Sequence, residues 1–142
     1  QVKAHNIFDF VQSQFPVVSA TIATTGNTDG YHIAPRTGII LSIDFSATDA
    51  LATNDTNFIT FTITNLGQAG AGSTALLSTA DTNTTKATGG TAISANTKRA
   101  LIISTTPNNL QVIEGDRLRI RAAATGTLAN TVTFPAYILR YK

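Results

Sequence analysis

The alternation of apolar and polar positions along the chain predicts short β-strands separated by turns. Three arginines alternate with Leu118, Ile120 and Ala122, which is the two-residue period of a strand with one buried face. The most regular alternation spans residues 39–47, and it predicts core positions at Ile39, Leu41, Ile43 and Phe45. In the same strand Asp44 is assigned to the outward-facing positions.

A second regular strand is predicted over residues 57–65, where Ile59, Phe61 and Ile63 face inward and the intervening threonines face outward. Those threonines form either a solvent-facing ladder or a surface that meets another copy. Further strands are predicted at 17–25, 31–34, 74–79 and 99–105. Residues 26–30 and 80–90 are predicted to be loops, the second of them long and exposed. Short strands at this spacing are typical of a β-sandwich.

Residues 110–141 are predicted to end the chain as an antiparallel hairpin. The segment 114–116, Glu-Gly-Asp, favours a turn, because glycine adopts positive φ and aspartate bonds its own backbone. A second turn is predicted at 126–130, after which the chain returns toward Tyr141. The predicted fold class is therefore all-β, an antiparallel jelly-roll-like sandwich with an N-terminal arm.

Residues 1–16 form the predicted arm, and residues 17–142 form the sandwich domain. The arm is rich in apolar side chains, and Pro16 ends it whether it is helical or extended. Such a segment either covers an end of its own sandwich or docks on a neighbouring chain. The candidate anchors are Ile7, Phe8, Phe10 and Phe15.

Composition favours an assembled or extracellular protein of one domain. The chain has 142 residues, and only 13% of them are charged, against about a quarter in a typical protein. Cysteine is absent, so disulfides and thiolate metal sites are excluded. There is no apolar run long enough to span a membrane, and no membrane partner is expected.

The sequence carries no recognisable catalytic or cofactor site, and we predict that the protein is not an enzyme. The two histidines, His5 and His32, are too few for a transition-metal site without further ligands, so neither a metal nor a cofactor is expected. The one close carboxylate pair, Glu114 and Asp116, lies in a predicted turn, where aspartate is favoured for backbone reasons.

The arginine row of one strand, Arg117, Arg119 and Arg121, is the strongest charged feature of the sequence, and Lys98 and Arg99 are candidates to extend it. No aromatic residues alternate with the row, and the net charge is only +2, which argues against nucleic acid as the partner. Arginine is enriched at protein interfaces and its planar fork matches carboxylates. The row is therefore interpreted as a surface for a partner or a neighbouring subunit.

With these strands placed, three stretches give the chain its resemblance to a known group: GIILSIDFSATDA, NFITFTITN and VIEGDRLRIRAAATGTLANTVTFPAYILRY. The chain resembles the small jelly-roll proteins of tailed bacteriophages, which include capsid decoration, or cement, proteins. The resemblance lies in a Gly-Asp turn before a strand, a second turn before a closing strand, and loops rich in Thr, Ala and Gly.

The resemblance implies a homotrimer on the outer capsid surface of a virion, which binds the major capsid protein and stabilises the shell. It also implies that the apolar residues before Pro16 act as an arm toward capsid subunits or a neighbouring copy. The alternative is a receptor-binding or carbohydrate-binding head of a tail fibre or spike. That head would use Tyr31, His32 and the loop at 80–90.

Overall fold

A computed structural model describes residues 12–14, 21–133 and 136–141, and it shows an all-β protein of antiparallel strands. The strands are β1 (Gln12–Gln14), β2 (Thr21–Ile22), β3 (Gly26–Ile33), β4 (Gly38–Ser46), β5 (Phe58–Asn65), β6 (Thr74–Ala75), β7 (Lys98–Leu101), β8 (Gln111–Val112), β9 (Arg117–Thr125), β10 (Val132–Thr133) and β11 (Ala136–Tyr141). Within these ranges, helical geometry is confined to two 3₁₀ turns, at Asp81–Asn83 and Pro107–Leu110.

The strands form two main sheets and one small one. The first sheet has the order β1-β11-β4-β7, with β8 also paired to β4, and the second has the order β3-β9-β5-β6. Strands β2 and β10 pair separately. The strand orders β1-β11-β4-β7 and β3-β9-β5-β6 together contain eight strands. If these eight are renumbered 1 to 8 in chain order, the two sheets have the orders 1-8-3-6 and 2-7-4-5. This interleaved order is that of a jelly roll, which confirms the predicted fold class.

The core lies between the inner faces of the two main sheets. Phe45 of β4 and Phe61 of β5 meet there, with ring centroids 4.9 Å apart and ring planes tilted by 40°. The register pairs Phe61 with Ala122 and Ile63 with Ile120, so β5 and β9 present one continuous apolar surface. The predicted inward positions of both strands are confirmed.

A β-bulge changes which side chains of β4 reach the core. Arg140 pairs with Ser42 and Tyr141 pairs with Ile40, so Leu41 is an extra residue on β4. An extra residue reverses the alternation of faces. Ile40 is consequently buried, while Ile39 and Leu41 are exposed, and the prediction that both of these face the core is wrong.

The predicted terminal hairpin is also wrong. Strand β9 pairs with β3 and β5, whereas β11 pairs with β4 and β1 in the opposite sheet. The turn that follows β9 does exist, and Gly126 has a positive φ of 67° in it. This turn inserts Leu128 into the core, so the connection crosses between the sheets instead of folding back within one. Residues 26–30, predicted to be a loop, instead form most of β3, paired with β9.

The turn before β9 agrees with its prediction. Gly115 has a φ of 88°, and the buried carboxylate of Asp116 accepts hydrogen bonds from the backbone of Ile113 and the amide of Asn65, both at 2.8 Å. The carboxylate therefore has a backbone role, as the sequence indicated.

The segment 80–90, predicted to be a long exposed loop, is exposed at both ends but has a buried centre. Asn83, Thr84 and Thr85 are all buried. The Asn83 amide donates to the carbonyls of Ser78 and Ile102, and its oxygen accepts from the Ile102 backbone, each at 2.8 Å. Side-chain bonds to backbone thus replace the sheet ladder in this segment.

Candidate interaction surfaces

The outer face of the sheet formed by β3, β9, β5 and β6 carries the arginine row, and we call it the arginine face. The register pairs Asp29 with Arg121, Tyr31 with Arg119, and Ile33 with Arg117. On the other side of β9, Thr62 and Thr64 of β5 pair with Arg121 and Arg119. Residues opposite each other in a ladder share a face, so the arginines lie between the threonine ladder and the side chains of β3.

Two members of the row have partners within the domain. Arg121 makes a bidentate contact with Asp29, from Nε at 2.7 Å and from a terminal nitrogen at 2.8 Å. The hydrogen bond from Arg121 lowers the pKa of Asp29, opposed by burial and assisted by the charges of Arg121 and Arg119. The Arg117 guanidinium lies 3.9 Å from the centre of the Tyr31 ring, which is a cation–π distance.

The Asp29–Arg121 pair gives stability that depends on pH. Because the pKa of Asp29 is lower in the folded protein than its ordinary value of 3.8, the contribution is present above that value and is lost as the carboxylate is protonated in acid. We expect Asp29→Asn to cost about 1 kcal/mol at neutral pH and progressively less as the pH falls below the ordinary pKa of 3.8, as measured by urea denaturation.

The control for this prediction is Asp81→Asn, because Asp81 contacts Lys86 at 3.2 Å in a pair whose two side chains are 53% and 34% exposed. This exposed pair should contribute little at either pH. An Asp29→Asn cost that stays constant from neutral to acid pH would contradict the role given to the ion pair.

Arg99 does not extend the arginine face as predicted, because it is buried in the core. Its guanidinium donates to the carbonyls of Thr91, Thr82 and Thr84 at 2.7 to 2.9 Å. It also lies against the Phe45 and Phe61 rings. Burial lowers the pKa of Arg99 to about 10, so the side chain remains charged at neutral pH. Lys98, the next residue, is exposed.

A second surface is apolar and was not found from the sequence. Ile39, Leu41, Ile102 and Ile113 are between 43% and 58% exposed. Ile39 and Leu41 lie on the outer face of β4, while Ile102 and Ile113 directly follow β7 and β8, the two strands that pair with β4, and each comes after a buried residue. We call this set the apolar face. The bulge at Leu41 exposes Ile39 and Leu41, which a simple alternation rule places in the core.

The residues of the alternative interpretation do not share a surface. Tyr31 and His32 are consecutive in β3, so their side chains lie on opposite faces, and His32 pairs with Leu118 on the inner face. Burial lowers the pKa of His32, and its Nε2 is buried without a hydrogen-bond partner among the described residues. The loop at 80–90 is held by the packing described above.

The predicted arm anchors, Ile7, Phe8, Phe10 and Phe15, lie outside the described residues. Within the predicted arm, Gln12–Gln14 pair with β11 as the edge strand of the sheet that carries the apolar face. Among the described residues, no group of three His, Asp or Glu side chains could hold a metal ion. In the same residues, no helix has the length and apolar character needed to cross a membrane.

No protein-family model and no curated protein matches the chain. Among solved structures, it has a distant similarity to a chain in the structure of infectious bursal disease virus Gx strain. The TM-score is 0.42 and the sequence identity is 11%. The match covers 92% of this chain and 31% of the viral one.

Proposed function

We propose that this protein is a non-enzymatic structural component of a virion, which decorates and stabilises a bacteriophage capsid as a homotrimer. The jelly-roll strand order is compatible with this role, since viral capsid domains use it, but lectin domains and cupins use it too. The observation that carries the proposal is the apolar face. Contiguous exposed apolar patches on soluble domains mark interaction sites.

The occupant that we assign to the apolar face is the N-terminal segment, residues 1–11, of a neighbouring copy. Gln12 pairs with Tyr141, and Tyr141 pairs with Ile40. The first residue of β1 therefore lies level with Ile40 of β4, next to Ile39 in the sequence. Strand β1 runs parallel to β4, because each is antiparallel to β11. Strand β1 therefore begins at the same end of the sheet as β4, which is the end that carries Ile39.

The length and composition of this segment suit that occupant. Eleven extended residues reach at most about 40 Å, whereas a four-stranded sheet is about 15–20 Å wide. The segment contains Ile7, Phe8 and Phe10, which would bury apolar surface against Ile39 and Leu41. Phe15, the fourth predicted anchor, follows β1 in the sequence.

Stabilisation of a shell would follow from mass action. A protein that binds only the assembled capsid stabilises it in proportion to its occupancy, and several contacts from one trimer add through effective concentration. In this account the arginine face, with Arg117, Arg119 and Arg121, meets the major capsid protein. The apolar face and the arm hold the trimer together.

We expect deletion of residues 1–11 to convert a trimer into a monomer, because it removes the apolar anchors and leaves β1 in place. The double variant Ile39→Ser, Leu41→Ser should have the same effect, since it removes the surface on which the anchors pack. The measurement is mass by light scattering over a range of protein concentrations.

The matched control is Ile33→Ser, which changes an equally exposed isoleucine on the arginine face and should leave the trimer intact. An unchanged mass after both the deletion and the double variant would refute the arm assignment. Co-sedimentation with empty capsids tests the decoration role, and specific binding to a glycan array without capsid binding would favour a receptor-binding head instead.

A further inference from the structure

Arg119 differs in its contacts from the other two arginines of the arginine face. Arg121 is bound to Asp29 and Arg117 lies on Tyr31. Within the described part of the chain, the Arg119 guanidinium makes no hydrogen bond or ion pair, and its Nε is buried. A buried N–H group without an acceptor is uncommon in native proteins, and each one calls for an explanation.

A groove of about 300 Å³ lies next to this side chain. Its floor is the threonine ladder of β5, Thr60, Thr62 and Thr64, and its wall is the segment 75–80 together with Asn83 and Thr84. The chain pairs with β5 in two places, first through β6 and then through a bridge between Thr84 and Thr60. The groove lies between these two pairings. Arg119, opposite Thr64 in the ladder, lines the groove.

We propose that this groove binds a carboxylate side chain on a segment of a partner protein, with Arg119 as the residue that recognises it. A guanidinium presents a planar fork of N–H donors that matches the two oxygens of a carboxylate. The surrounding threonine and serine hydroxyls can donate to, or accept from, the backbone of the same segment. The volume is at the lower end of the range of ligand sites.

The lining favours a protein segment over a sugar. Sugar recognition relies on exposed aromatic faces. The one aromatic residue in the lining is Phe61, whose ring is buried on the inner face against Phe45. That the partner is a virion protein rests on the function proposed above, whereas the carboxylate specificity rests on Arg119 and the groove alone.

The test is a titration followed by NMR, because the Nε–H signal of an arginine reports directly on its hydrogen bonding. The probes are the blocked peptide Ac-Thr-Glu-Thr-NH2, its counterpart with Gln in place of Glu, and N-acetylneuraminic acid. We expect the Glu peptide to shift the Arg119 Nε–H signal and the amides of Thr60, Thr62 and Thr64. The Gln peptide should bind about tenfold more weakly or not at all, which corresponds to a loss of about 1.4 kcal/mol or more.

Arg119→Gln should abolish the preference for Glu over Gln, while the control Lys98→Gln, which removes an exposed positive charge from the other main sheet, should retain it. Arg119→Lys keeps the charge without the fork and should show a reduced preference. Equal affinity for the two peptides, or an unchanged preference in Arg119→Gln, would overturn the proposal. Stronger binding of the acidic sugar than of the Glu peptide would overturn the choice of a protein partner. These readouts do not depend on the trimer, so failure of the arm assignment would be seen separately by light scattering.

Discussion

Arg99→Met will lower the free energy of unfolding by about 3–4 kcal/mol and the midpoint of thermal unfolding by about 10 °C. Methionine fills a similar volume in the core but supplies no donors. The carbonyls of Thr82, Thr84 and Thr91 would then lose the hydrogen bonds that they accept from the guanidinium, and Thr84 is buried. Buried acceptors without partners are costly, and hydrogen bonds from charged donors are among the stronger ones.

The Arg99 side chain also joins two parts of the molecule that the sheets do not join. It belongs to β7, it bonds the backbone of segment 82–91, and it lies within 5.7 Å of the rings of both Phe45 and Phe61. Arg99→Lys retains the charge, but a single ammonium group lacks the planar fork that reaches three carbonyls. We therefore expect the lysine variant to be destabilised as well, though less than the methionine variant.

Lys98→Met is the matched control, since Lys98 is the adjacent residue and is exposed. Its effect should stay within about 0.5 kcal/mol, as is usual for surface substitutions. Thermal and urea unfolding, with the native spectrum checked by circular dichroism, provide the measurement. If Arg99→Met were as stable as Lys98→Met, the guanidinium would not be holding the segment.

Alternation along the sequence was sufficient to predict the fold class and the inward faces of β5 and β9, because one buried face imposes a two-residue period. It failed in β4. The bulge at Leu41 is defined by its pairing with β11, about a hundred residues further along, and no local feature of the sequence marks it. The exposure of Ile39 and Leu41 on the apolar face was missed for the same reason.

The terminal hairpin was mispredicted because a turn between two strands does not specify which sheet the second strand joins. The burial of Leu128 and the pairing of β11 with β4 decide that choice, and both depend on the tertiary structure. The segment 80–90 was mispredicted because its composition is polar. Polar side chains such as that of Asn83 are buried there through hydrogen bonds to backbone groups that are distant in sequence.

For the candidate surfaces, the sequence placed Arg117, Arg119 and Arg121 on one face, since the three share a single strand. It could not show which of them are already paired. The partner of Arg121 is Asp29, 92 residues away, and that pairing depends on the register between β3 and β9. The distinction between two satisfied arginines and an unsatisfied one, which carries our proposal for the groove, requires the structure.

Asn83→Asp will destabilise the domain by about 3 kcal/mol at neutral pH, and Asn83→Ala will do so by about 2 kcal/mol. The Asn83 amide donates to two carbonyls, of Ser78 and Ile102, and a carboxylate in its place would set oxygen against oxygen at both contacts. Alanine removes the bonds without adding this repulsion. We therefore expect Asn83→Asp to be more destabilising than Asn83→Ala, although aspartate matches the shape of asparagine more closely.

Protonation should rescue part of the loss in Asn83→Asp, since a neutral carboxyl group can donate one hydrogen bond. The difference between the two variants should therefore shrink as the pH falls, as followed by urea denaturation. Asn108→Asp is the control: Asn108 is exposed, its side chain makes no hydrogen bond to the described residues, and the change should have little effect at any pH. Because Asn83 also forms part of the groove wall, the loss of stability should be accompanied by loss of the Glu peptide signal at Arg119. Full stability of Asn83→Asp at neutral pH would mean that segment 80–90 is as loosely held as its composition first indicated.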